Sequence, residues 1–266
     1  MAKWVPECLP NRAEIILLIN SKRSKWQGSL AACIRIKGEQ QKAIQLARAA
    51  AEHSISLLNF LSPANGNSRL TSFCTILGFE TLRTATHLYV LNGSISTYKE
   101  CTVDEQNADF FINVHVPICK QTILALDDLA SDRSTDFRYR LYEALIIYSR
   151  QAQASDLSAK LIFALSALES ILLKDANEPI QKNLGERMAF LVRESVDERK
   201  EIVRNIAEVY KARSSFVHHG NSIKHQEALD RFLVTARETF SRLLLLKDKY
   251  KTKAALLDSL EDMKMS

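Results

Sequence analysis

A chain of 266 residues has room for one large domain or two small ones, and its 46% hydrophobic and 25% charged residues are those of a soluble globular protein with a full core. The net charge of +5 is compatible with a nucleic-acid partner but too small to establish one. No run is long and apolar enough to predict a membrane span, and the opening Met-Ala-Lys-Trp-Val-Pro lacks the apolar core of a signal peptide. The five cysteines (Cys8, Cys33, Cys74, Cys101, Cys119) are scattered and form no CxxC pair. That spacing supports neither a disulfide framework nor a zinc knuckle, and free cysteines predict a reducing, cytoplasmic setting. His115 and Cys119 would share a helical face only without Pro117 between them, so no metal or other cofactor is predicted.

In chain order, Glu14–Ile19 is an apolar run that fits a strand or a helical turn equally, and Ser29–Lys37 reads as an extended piece between Gly28 and Gly38. Glu39–Leu61 predicts a helix, with Ile44, Ala47, Ala51, Ile55 and Leu58 on one face, stopped by Ser62-Pro63. Between Leu70 and Leu91 the period changes to two, which predicts one or two strands closed by Asn92-Gly93-Ser94. His87 belongs to the polar face of that strand. Ile118–Leu129 resembles a helix, and the polar run Ala130–Asp136 is the candidate boundary between a 1–130 α+β region and a helical domain.

From Phe137 onward the pattern is helix after helix. Phe137–Ala152 places Leu141, Leu145 and Tyr148 on one face, and Ser155-Asp156 caps a longer helix through Leu173. Glu169 falls inside the apolar stripe of that helix, where a carboxylate needs a partner. It either holds an arginine from a later helix, Arg187 being the candidate, or orients a catalytic group. Pro179 opens the next helix, whose buried side is Leu184, Met188, Leu191 and Val192. Helices Glu198–Arg213 and Ile223–Lys249 follow, and the tail 251–266 adds a further helix or frays.

Between the last two long helices stands Tyr210-Lys-Ala-Arg213-Ser-Ser-Phe-Val-His218-His-Gly220. An arginine forks onto phosphate oxygens, and a histidine gives and takes a proton near neutral pH, so the pair suggests phosphodiester chemistry. The plainer reading is that Arg213 offsets a helix dipole and His-Gly ends a turn. Arg213 follows Val209 by four and Tyr210 by three, which puts it at the edge of the buried stripe. The basic runs 21–25 and 247–253 suit an RNA partner or are solvated helix ends.

Three stretches, Leu165–Leu173 with Glu169, Leu184–Leu191 with Arg187, and Tyr210–Gly220, resemble in order and spacing the Apea-like group of HEPN domains. The resemblance covers about Phe137 to Leu246. It implies a mainly α fold: a HEPN-type helical bundle over 137–250, preceded by the α+β region and followed by the 251–266 tail. It further implies an Arg-x4–6-His motif that cleaves RNA without a metal, by attack of a 2′-hydroxyl on the adjacent phosphate. Carried over by position, Arg213 stabilises phosphoryl charge and His218 transfers protons, with Tyr210, Glu169 and Arg187 in support. The reaction needs an acid and a base, and the family supplies the second histidine by homodimerisation. Ser214 stands where active members often have Asn, Asp or His. The extra His219 is a second proton-transfer group, a neighbour that lowers the pKa of His218, or a bystander. Prokaryotic defence or a toxin-like response, with an inhibitor or antitoxin protein as a further partner, also follows from the resemblance. A non-catalytic HEPN module binding RNA or a protein is the competing expectation.

Overall fold

The computed structural model describes residues 36–72, 74, 83–91, 94–102, 107–108, 119–175, 177–219 and 226–265; the strand residues from 83 onward and residues 217–219 are described by their backbone. The fold is mainly α. Among the described residues the order is α1 (Gln40–Phe60), β1 (Thr71–Ser72), β2 (Arg83–Leu91), β3 (Ser94–Thr102), β4 (Asn107–Ala108), α2 (Lys120–Ser131), α3 (Asp136–Ser149), α4 (Leu157–Leu172), α5 (Ile180–Val192), α6 (Val196–His219), α7 (Gln226–Leu245) and α8 (Lys253–Met265). None of these helices is long and apolar enough to cross a membrane. The expectations for Glu14–Ile19, for the basic run 21–25 and for most of Ser29–Lys37 lie outside the described residues, as do His115, Pro117 and Gly220.

The organising element is α4. Its sequence is apolar on nearly every side, and such a helix must be surrounded. It packs against α3, α5, α6, α7 and α8, with Leu161, Ala164, Leu165, Leu168, Ile171 and Leu172 buried. Its start is fixed by Asp156, whose side chain accepts from Ala159 N at 2.8 Å. Beside α4, the helices α5 and α6 pack closely at Gly185, where an added Cβ would stand 3.4 Å from the Val203 backbone.

Buried polar side chains tie the preceding segment to this bundle. Lys160 of α4 is fully buried and donates to the carbonyl oxygens of Leu70 at 2.8 Å and Gln151 at 3.1 Å. The Tyr148 hydroxyl donates to Asn65 O at 2.9 Å, and the Ser68 amide to Asp230 Oδ1 at 2.7 Å. The core runs without a break from Leu57 and Phe60 through Leu126 and Leu129 to Leu260. The expected boundary at Ala130–Asp136 therefore falls inside one compact unit, Arg48–Ser266; the other is Met1–Ala47. The polar residues of that run serve a local purpose. Thr135 caps α3, and the buried Arg138 gathers Asp128, Asp132 and Asp248 around its guanidinium.

Other boundaries moved by a few residues. Pro179 occupies the N-cap of α5. The expected Phe137–Ala152 helix ends at Ser149, continuing as a 3-10 turn to Gln153. None of the stripe expected on α1 is fully buried, Ile44 being 60% exposed; the buried side chains are Leu57, Asn59 and Phe60 near the helix end. β2 and β3 pair antiparallel with Leu91 opposite Ser94, and β1 pairs in parallel with β4; the expected closing residues Asn92 and Gly93 lie outside the described residues. His87 lies on β2, opposite Tyr98. The tail forms α8 and buries Leu256, Leu257 and Leu260.

Candidate active site

The helix carrying the motif does not stop at Arg213. It continues to His219, so the expected junction between helices begins only after the motif. Arg213 thus lies well before the last turn, and offsetting the dipole at that end is not its role. What Arg213 does instead is hold Glu169. Its Nη1 donates to Glu169 Oε1 at 2.6 Å, and the Tyr210 hydroxyl donates to the same oxygen at 2.7 Å. Tyr210 and Arg213 are one turn apart on α6, the spacing that puts two side chains over one spot of a neighbouring helix. The guanidinium carbon stands 5.9 Å from the Tyr210 ring centre.

The group is half-buried, with 32% of the Arg213 side chain and 21% of the Glu169 side chain exposed. Burial, reinforced by the Glu169 carboxylate, pushes the Tyr210 phenol far above its usual range, so it remains a proton donor. One guanidinium nitrogen is engaged by Glu169, and the others make no hydrogen bond among the described residues. An arginine anchored on one side and open on the other can present its remaining N–H groups to an anion such as a phosphate.

His218 and His219 are placed by backbone in the last turn of α6. Positions five apart on an α-helix are separated by about 140° around the axis and about 7.5 Å along it. Positions 213 and 218 therefore do not share one helical face. Ser214 is exposed and lies outside the Glu169 cluster.

Arg187 is not the partner of Glu169. It is buried, 2% exposed, and its hydrogen bonds go elsewhere: Nη1 to Leu172 O at 2.7 Å and Glu178 Oε1 at 2.9 Å, Nε and Nη2 to Glu261 Oε1 at 3.1 and 2.9 Å. It ties α5 to the end of α4, to the segment before α5 and to α8. A cation at the last carbonyls of α4 also satisfies an orphan acceptor and the helix dipole. Arg187 sits on the buried stripe of α5 beside Leu184, Met188 and Leu191, which requires carboxylates within reach, but those come from Glu178 and from Glu261 of the tail, expected either to add a helix or to fray.

Glu178, Glu261 and Lys160 are the buried-network residues that sequence reasoning passed over. Among the described residues no cluster of His, Cys, Asp and Glu could hold a metal ion. Cys74 and Cys119 are free thiols. No protein-family model, no curated protein and no solved structure matches the chain.

Proposed function

We propose that the chain is a HEPN-type endoribonuclease in which Arg213 and His218 act on the RNA phosphodiester. The observation that carries this reading is the convergence of Tyr210 and Arg213 on Glu169, which joins two separate stretches of the resemblance in one hydrogen-bonded group and leaves part of the arginine fork open. In the proposed reaction a 2′-hydroxyl attacks the adjacent phosphorus and loses its proton to a base. The 5′-oxygen leaves and takes a proton from an acid, giving a 2′,3′-cyclic phosphate and a 5′-hydroxyl end. Arg213 offsets the charge that gathers on the phosphoryl oxygens. His218 of each chain in a homodimer supplies one of the two proton-transfer groups. The angular separation of positions 213 and 218 on a single helix favours such a two-copy site. The helices after Phe137 are the HEPN-type bundle in this reading, with an α+β portion before them, in a cytoplasmic protein of prokaryotic defence or toxin type.

A second reading rests on the same ion pair. If Glu169 holds Arg213 permanently, the arginine is a structural anchor or a phosphate clamp in a binding module. Purified protein is incubated with RNA in EDTA, and the ends are analysed for cyclic phosphate. The nuclease reading expects cutting that His218→Ala abolishes while leaving the chain folded. Retention of RNA without cutting establishes the second reading; undiminished cutting by His218→Ala overturns the mechanism.

A further inference from the structure

A cleft of about 660 Å³ opens where the end of α5, the start of α6, the second half of α7 and α8 meet. The volume lies in the range of sites that enclose one small molecule. Its charged groups are unevenly satisfied. Arg193 pairs with Glu238 at 2.7 Å, and Arg237 carries its guanidinium to Gly66, with Nη1 3.9 Å from where a Cβ there would stand. Arg199, Arg242 and Lys249 make no ion pair among the described residues, against one unpaired carboxylate in the lining, Glu194. Like charges crowded around one concavity repel, and an anion in it relieves that repulsion.

The rest of the lining offers a ligand little to hydrogen-bond. Its neutral polar side chains are Ser241 and Tyr250, and the Tyr250 hydroxyl is taken by Ser259 Oγ at 3.1 Å. The carbonyl oxygens of Val192 and Arg193 are taken as well, by the Arg193 and Arg199 side chains at 2.8 and 2.9 Å. A sugar or a base placed there would give up water without gaining partners. Apolar surface is plentiful instead. Leu245 and Met263 are 74% and 41% exposed, and they line the cleft together with Phe190, Leu246 and the buried Leu260. An alkyl chain laid along these side chains releases the water that wets them. Arg242 lies one turn before Leu245 on α7, so an anion at Arg242 starts its chain against that leucine. The Arg199 guanidinium rests 4.1 Å from the Phe190 ring centre, its Nε fixed by Arg193 O and its outer N–H groups able to fork onto a carboxylate. Arg199 and Arg213 are fourteen positions apart on α6, about 21 Å along its axis, so the cleft is separate from the Glu169 cluster.

From these features we infer that the cleft binds one free long-chain carboxylate, an amphiphile of the fatty-acid class. Arg199 and Arg242 receive the carboxylate, and Leu245, Leu246 and Met263 receive the chain. This site is independent of the nuclease reading.

Calorimetric titration of the full chain with dodecanoate tests it, with acetate as the head alone and dodecyl maltoside as an uncharged chain, each detergent-like probe kept below its micellar concentration. The expected result is one dodecanoate site per chain, no acetate binding, and dodecyl maltoside weaker by about tenfold or more. Arg242→Gln weakens dodecanoate about tenfold, and Leu245→Asn weakens it too; both positions are exposed, so neither change threatens the fold. Arg213→Ala binds dodecanoate like the parent, which separates this test from any failure of the nuclease reading. The absence of saturable dodecanoate binding overturns the inference. So does dodecyl maltoside binding as tightly as dodecanoate, which would mark a generic apolar surface, or affinity unchanged in both Arg242→Gln and Leu245→Asn. Sedimentation with phosphatidylglycerol vesicles, if it occurs without any binding of free dodecanoate, assigns the surface to a bilayer and overturns it as well. Circular dichroism of each variant confirms that it is folded.

Discussion

Tyr210 and Arg213 stand one turn apart on α6 and donate to the same atom, Glu169 Oε1. One acceptor shared by two donors means that losing either donor leaves the carboxylate partnered, whereas losing the carboxylate strands both. Tyr210→Phe is expected to cost about 1 kcal/mol. Glu169→Leu is expected to cost more, about 2 kcal/mol, because a largely buried phenol then lacks an acceptor. Urea midpoints of the two variants check this order, and equal losses would refute it.

Arg187 and Arg213 both belong to the resemblance, yet they differ in burial. Arg187→Met leaves Glu178 and Glu261 without their shared cation and is expected to destabilise the fold by about 3 kcal/mol. Arg213→Met, at a partly exposed pair, should cost about 1 kcal/mol or less. Chemical denaturation separates the two, and a folded, fully stable Arg187→Met protein would remove Arg187 from the structural network.

The same network gives a pH signature in acid. Burial works to raise the Glu178 and Glu261 carboxyls, but hydrogen bonds outweigh it, from Arg187 to both, from Asn183 to Glu178 and from Lys264 to Glu261. Both therefore titrate below their ordinary 4.5. A carboxylate depressed in the folded state lends stability above its unfolded pKa, and that stability is lost as the pH falls through the folded value. Stability should fall below about pH 4.5, and the fall should be shallower in Arg187→Met. Denaturation midpoints collected from pH 6 to pH 2.5 measure the slope.

Lys160 works in the opposite limb. Burial, only partly offset by Asp230, lowers its pKa to about 8 from 10.5. Between those values the unfolded chain binds the proton and the folded chain does not, so stability rises with pH, by up to about 3 kcal/mol. Lys160→Met should lack this rise. Parallel slopes for the two proteins between pH 8 and 10 would show that Lys160 stays charged when folded, held by its two carbonyl acceptors.

Leu257 in α8 is 1% exposed. Leu257→Ala is expected to cost about 2–5 kcal/mol, as for a core leucine. A change within a few tenths would mean that the tail is dispensable.

The helices after Phe137 were legible because their stripes recur at three and four residues and their caps are explicit, Asp156 above all. The partner of Glu169 was only half legible. That a carboxylate inside an apolar stripe needs an arginine follows from burial. Which arginine depends on where α8 lies, since Glu261 engages Arg187 and leaves Glu169 to Arg213. The run Ala130–Asp136 misled for a related reason. Polarity marked it as a boundary, but Asp132 faces Arg138 and Asp136 pairs with Arg140, and Arg138 also reaches Asp248, 110 positions away. Long-range ion pairs leave no period in a sequence.

Lys160 reaches back to Leu70 and Tyr148 to Asn65, so the helices after Phe137 do not carry their own covering. A shortened chain beginning at Phe137 would open a fully buried ammonium and a phenol to water and strip Phe60 from beside Tyr148, at 6.1 Å. A fragment that keeps these contacts has to begin upstream of Leu57. A protease that nicked the 62–72 segment would loosen the bundle from its centre outward.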